Sequence, residues 1–165
     1  MQIRTMYQPF LDRVNAYFTH ALNIINQYQF TNSGGPVIAI QIENEYFGSA
    51  PTYIPIDLKY LQYLYNFTRA SGFNGLLFTS DPVEFAQNFP VSQISGLLET
   101  ANLNMDVLNQ LMVMRKNMPG KPIYVSEFWP GWYDEWGNQQ HHSYKLDLFE
   151  KQVSDILFRV RLFIS

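Results

Sequence analysis

The chain has no cysteine, which excludes disulfides, thiolate nucleophiles and zinc–thiolate centres. Charge is sparse: Asp, Glu, Lys and Arg make up 15% of its 165 residues, and the formal net charge is −3. Without a lysine- or arginine-rich run, nucleic acid is not an expected partner. No apolar stretch approaches the roughly 18–20 residues that a membrane span needs. The opening Met1-Gln2-Ile3-Arg4-Thr5-Met6 lacks the basic start and apolar stretch of a secretory signal. Hydrophobic residues, by contrast, reach 47% and aromatics 16%. That suffices for a sizeable core in a single domain over 1–165. Aromatic rings serve core packing first, and they also suit a site where ring faces stack on sugar C–H faces.

Periodicity gives an alternating pattern. Phe10, Leu11, Val14, Tyr17, Phe18, Leu22 and Ile25 recur at three- and four-residue steps, predicting a helix over about Gln8–Gln29. Asn32-Ser33-Gly34-Gly35-Pro36 reads as a turn, and Val37–Ile42 as a strand buried on both faces. Asp57–Ala70 is a second helix, closed by Ser71-Gly72. Strands follow at Gly75–Thr79 and, less distinctly, Ile94–Thr100. A helix over Asp106–Asn117 stops before Pro119-Gly120. A strand at Ile123–Glu127 and a long helix over His142 to about Phe158 complete the order.

Strand–helix alternation with short apolar strands predicts a parallel sheet in an α/β fold. A doubly wound sheet often carries a glycine-rich phosphate turn after its first strand. Here Gly34-Gly35-Pro36 comes before the strand instead. A (β/α)8 TIM barrel needs eight strand–helix units over typically about 250 residues. The chain supplies about four, so the expectation is a partial (β/α)8 barrel.

Two glutamates, Glu45 and Glu127, end short apolar runs, and the C-terminal ends of barrel strands are where such folds keep their chemistry. Two carboxylates on different strands point to a glycosidase. Strand alternation puts Gln41, Glu43 and Glu45 on one face and Asn44 on the other. On that basis Glu43 and Glu45 have comparable claims to the acid role. The alternative role for Glu43 is to hold an arginine or a backbone amide.

Gly34-Gly35-Pro36 followed by Gln41-Ile42-Glu43-Asn44-Glu45-Tyr46 resembles the acid/base signature of glycoside hydrolase family 35, the β-galactosidases. Ser126-Glu127-Phe128-Trp129, with Gly131-Trp132 and Trp136-Gly137, is similar to that family's nucleophile segment. Met1-Gln2-Ile3-Arg4-Thr5 resembles the stretch before the family's third barrel helix, and the resemblance runs to about Leu157. It implies a retaining double displacement on galactose-terminated oligosaccharides or glycoconjugates. Glu45 is then the general acid/base and Glu127 the nucleophile, and the two carboxyl groups must lie roughly 5–5.5 Å apart. Their charge states must differ, Glu45 carrying a proton when Glu127 does not. Asn44 matches the residue that hydrogen-bonds the sugar 2-hydroxyl. Trp129 matches an aromatic position beside the nucleophile, where sugar contact and plain packing are equally open. The family also implies a lysosomal or extracellular setting, and no cofactor or metal, since two carboxylates suffice.

Other residues have plainer readings. Trp132 and Trp136 are loop or core structure, and Asp134-Glu135 exposed charge. His141-His142 is solvated surface, because adjacent histidines do not share a helix face. Asp81 either lines the site or makes a turn before Pro82. Ser126 lacks the strand–turn–helix motif of a nucleophilic serine. The sequon Asn66-Phe67-Thr68 matters only in a secretory chain. Against the family pattern, three opening strands and the eighth strand are missing, and Phe47 stands where glycine usually follows the Tyr46 position. Two strand edges are therefore expected to be open, at the Val37 and Ile123 strands, with the aggregation risk that edges carry. The resulting expectation is a truncated catalytic domain of doubtful activity. The alternative is a non-catalytic paralogue that binds a galactoside or a partner protein.

Overall fold

A computed structural model describes residues 2–48, 56–86, 94–104, 106–131, 133, 135–137 and 146–162. Helix α1 (Gln8–Ile25) has Pro9 in its first turn, where a missing N–H costs nothing. It buries Leu11 and Leu22, while Phe10, Val14, Phe18 and Ile25 pack against the core. The helix ends four residues earlier than its apolar period suggests. The chain tightens into a 3₁₀ turn at Asn26–Tyr28, and a short α2 (Phe30–Ser33) stops at Gly34, which is left-handed with φ 67°. Next to it, a Cβ on Gly35 would lie 2.1 Å from the Tyr28 carbonyl oxygen. Only glycine fits that approach. Val37 is used up in an isolated bridge to Gln29, so the first strand of the sheet starts later.

The main alternation is β1 (Ala39–Asn44), α3 (Leu58–Ala70), β2 (Leu76–Pro82), a short α4 (Val83–Ala86), β3 (Leu97–Leu103), α5 (Val107–Asn117), β4 (Val125–Phe128) and α6 (Leu146–Leu162). Asp57 caps α3 by accepting the Lys59 N–H at 3.0 Å. Gly72, with φ 96°, follows the helix end as predicted. Residues 142–145, predicted to open the last helix, lie outside the described residues.

All four strands are parallel and lie in chain order β1-β2-β3-β4, with β1 and β4 at the edges. They form a curled half-barrel with helices alternating along the chain, a partial (β/α)8 arrangement. The helices cover the convex side. One core joins Leu11, Ile42, Tyr60, Leu61, Leu64, Leu77 and Leu97. The other joins Val83, Ala101, Leu103, Val107, Leu111 and Met114. Each fully buried aliphatic side chain is worth about 1.5–3 kcal/mol, so these convex cores hold the sheet to its helices. The concave side is more open: Leu76 is 46% and Tyr124 53% exposed. The first strand is accordingly not buried on both faces, since Gln41 and Asn44 are exposed. Among the described residues, no helix is long and apolar enough to cross a membrane.

Candidate active site

The end of β1 departs from regular alternation. Gln41 pairs with Phe78 but Glu43 pairs with Thr79, so Ile42 is an extra residue and the strand bulges. After the bulge, Ile42 and Glu43 both serve the helix side. Asn44 pairs with Ser80, and its Oδ1 accepts the Gln41 amide at 2.7 Å. Glu45 then turns with φ 49°, a left-handed conformation costing on the order of 1–3 kcal/mol for a residue with a Cβ. Its N–H is held by the Ser80 carbonyl at 2.7 Å. The bulge and the turn together bring Asn44 and Glu45 to the same side. Regular alternation would have separated them, and would have grouped Glu43 with Glu45.

Glu43 is fully engaged elsewhere. Arg4 donates to it through Nε at 2.9 Å and Nη2 at 2.6 Å, a two-point ion pair. Its Oε2 also accepts the Asn44 N–H at 2.8 Å. Of the readings open to Glu43, holding an arginine and a backbone amide is thus the one its contacts match. Burial opposes the charge on Arg4, but the hydrogen bond and negative charge of Glu43 outweigh it, and the guanidinium pKa is raised. Burial, followed by the charge and hydrogen bond of Glu43, likewise holds the Tyr60 phenol above its usual range. Arg4 donates in addition to the Asn44 carbonyl at 2.8 Å and lies 5.0 Å over the Tyr46 ring. The Tyr46 hydroxyl ties the Arg4 carbonyl to the start of α3 at Asp57.

On the concave side, Asn102 of β3 donates from Nδ2 to Glu45 Oε1 at 2.8 Å. Asn102 is also the register partner of Glu127 on β4. The β3–β4 pairing shifts between Ala101 and Asn102, so a second irregularity sits beside the second carboxylate. Glu127 Oε2 accepts the Trp129 indole N–H at 2.8 Å, and the Trp129 backbone N–H bonds the Leu103 carbonyl at 2.7 Å. Trp129 is 40% exposed. Glu45 and Glu127 therefore stand on one rim of the half-barrel, with Asn102 between them. Below lies a set of hydroxyls: Ser126 Oγ is 2.6 Å from both Ser80 Oγ and Thr100 Oγ1, and Ser80 donates to Asn102 Oδ1. Ser126 is a member of this chain of contacts.

Asp81 does not line the concave side. It is completely buried against the helix layer, where its Oδ1 accepts the Phe47 N–H at 3.0 Å and fixes the turn that follows Glu45. Phe47 is itself fully buried, which explains a large side chain at that position. Burial pushes the Asp81 carboxyl up to about 6. Glu99, two residues before Asp81's register partner Ala101 on β3, is raised by burial and then by the charge of Asp81 to about 7. Trp136 is fully exposed and Glu135 is exposed. Trp132, Asp134, His141 and His142 lie outside the described residues. Among the described residues, no group of three or more His, Cys, Asp or Glu is placed to hold a metal ion.

Sequence reading passed over Arg4, Ser80, Thr100 and Asn102. For the last three a signal existed: polar residues enter late in each strand, Thr79-Ser80-Asp81 in β2 and Glu99-Thr100 with Asn102 in β3.

Comparison with known proteins shows the family. The sequence model described as "Glycosyl hydrolases family 35" matches residues 1–163. Beta-galactosidase-1-like protein 3 of Mus musculus is 35% identical over 163 residues, 99% of this chain and 22% of that protein. Beta-galactosidase-1-like protein 2 of Homo sapiens is 35% identical over 141 residues, 83% of this chain and 20% of that protein. Beta-galactosidase of Macaca fascicularis is 35% identical over 132 residues, 77% of this chain and 18% of that protein. The chain thus spans about a fifth of the length of these relatives. With a family match along nearly its whole length, on a parallel half-barrel bearing two rim carboxylates, the chain belongs to the glycosyl hydrolases family 35.

Proposed function

We propose that these residues carry the catalytic pair of a retaining β-galactosidase, within a single partial catalytic domain over 1–165. Glu127, as a carboxylate, attacks the anomeric carbon. Glu45 gives its proton to the departing glycosidic oxygen, and a galactosyl ester of Glu127 remains. Glu45, now ionised, takes a proton from water, the water oxygen attacks the anomeric carbon, and Glu127 leaves. Two inversions give net retention. The Asn44 amide, its Oδ1 already engaged by Gln41, presents its NH2 to the sugar 2-hydroxyl. Trp129 steadies the nucleophile through its indole N–H and offers its exposed ring to the sugar. Terminal β-galactose on an oligosaccharide or glycoconjugate is the substrate class, and neither cofactor nor metal takes part.

The observation that carries this reading is the joint placement of Glu45 and Glu127 on one rim, flanking Asn102. The two-point bond of Glu43 to Arg4 supports assigning the acid role to Glu45. Membership of the family implies a lysosomal or extracellular setting for this chemistry.

Four strands leave the concave face open to water, and water-excluded surroundings strengthen the electrostatics on which such catalysis depends. The 165 residues alone are therefore expected to turn over far more slowly than a closed barrel. The test is hydrolysis of an aryl β-galactoside by the purified chain and by its Glu127→Gln variant. Turnover at the rate of a complete family enzyme, lost in the variant, would refute the incapacity and uphold the nucleophile. Galactoside binding with no hydrolysis, even with strands supplied to close the barrel, would favour a non-catalytic binding module.

A further inference from the structure

We infer that Asn102 is a positioning residue for the acid/base carboxylate, dictating which oxygen of Glu45 carries the proton. The inference rests on the role proposed above for Glu45. Asn102 is 5% exposed and sits on β3 rather than on either carboxylate's strand. Its side-chain amide is fixed at both ends. Ser80, completely buried, donates its single hydroxyl proton to Oδ1. That leaves Nδ2 facing Glu45 Oε1 at 2.8 Å. Ser126, within 2.6 Å of Ser80 and of Thr100, backs the serine that holds the amide.

An amide NH2 donates and does not accept. Oε1 of Glu45 therefore remains an acceptor in both of its charge states, and the proton resides on Oε2. A carboxyl group free to rotate would present the proton on either oxygen, and only one geometry reaches the leaving oxygen. Asn102 removes that choice. The same bond keeps the carboxyl plane fixed when Glu45 returns as the base. Neither the acid/base role nor the nucleophile role by itself requires such a residue on β3.

Two readouts test this, one of contact and one of chemistry. In 15N-labelled protein, the Asn102 side-chain NH2 should give two well-separated, slowly exchanging proton signals. They should collapse toward solvent-exposed asparagine values in Glu45→Ala and in Ser80→Ala. Signals unchanged in both variants overturn the inference. For the chemistry, initial rates are compared on aryl β-galactosides with good and poor leaving groups, using the chain within its closed barrel. Asn102→Leu, and the isosteric Asn102→Asp that cannot donate when ionised, should lose about 10- to 100-fold on poor leaving groups and under about 3-fold on dinitrophenyl galactoside. Asn102→Gln, which keeps a donor, should recover part of the loss. A uniform loss on all substrates, or none, overturns the positioning role. Glu45→Gln run in parallel separates the two claims: no leaving-group dependence there refutes Glu45 as the acid, whatever Asn102 does.

Discussion

Replacing Glu99 with glutamine should flatten the dependence of stability on pH. Glu99 is 4% exposed on β3, facing the helix layer, with Asp81 close enough to oppose its ionisation and Lys121 only partly compensating. Its carboxyl rises from an ordinary 4.5 to about 7. The folded state thus holds a proton that the unfolded chain releases. Below about pH 4.5 both states are protonated and no penalty exists. Between about 4.5 and 7 the unfolded chain ionises first, and folding stability falls as pH rises. Above about 7 the loss is complete. At roughly 1.4 kcal/mol per pH unit of displacement, it amounts to about 3 kcal/mol. Part of that belongs jointly to Asp81, so the two residues will not add. Glutamine cannot ionise, so Glu99→Gln should gain about 2–3 kcal/mol on the wild type between about pH 4.5 and 8, whatever the offset at acid pH. Urea denaturation at half-unit pH intervals measures this directly. Parallel stability curves for the two proteins would refute the reasoning.

Three further outcomes follow from single contacts. Glu43→Ala leaves Arg4 partly buried without its two-point partner and should cost about 2–4 kcal/mol in chemical denaturation. In a closed barrel, Glu43→Gln should retain far more activity than Glu45→Gln, because Glu43 acts through Arg4 and the Asn44 amide. Gly35→Ala forces a methyl to within 2.1 Å of the Tyr28 carbonyl and should lower stability by more than about 2 kcal/mol, read as a fall in Tm.

The four long helices and the strands between them were legible because they arise from apolar period, whereas the one-turn helices at Phe30–Ser33 and Val83–Ala86 are too short to show one. The turn before the first strand was legible because Gly34, Gly35 and Pro36 have narrow backbone uses. Strand ends were not. β1 runs on to Asn44, β2 to Pro82 and β3 to Leu103, each past the point where its apolar run gives way to polar residues. Of these, Asn44, Ser80 and Asn102 pair in the sheet on the concave side while Asp81 and Glu99 face the helix layer, so the end of an apolar run does not mark the end of a strand. The roles of Glu43 and Glu45 were similarly beyond simple alternation. A bulge at Ile42 and a left-handed Glu45 divide them, and neither feature has a local sequence mark such as glycine. Asn102 was invisible for a different reason: its importance comes from a partner 57 residues away.

The central claim is that Glu127 forms the covalent bond while Glu45 handles the proton. A 2-deoxy-2-fluoro-β-galactosyl fluoride asks for one chemical event and not for turnover, because the fluorine slows release of the ester. Incubation of the chain within its closed barrel, followed by digestion and mass spectrometry, locates the label. The account predicts a fluorogalactosyl ester on Glu127, absent from Glu127→Gln. A label on Glu43 or Glu45 with Glu127 unmodified would contradict it.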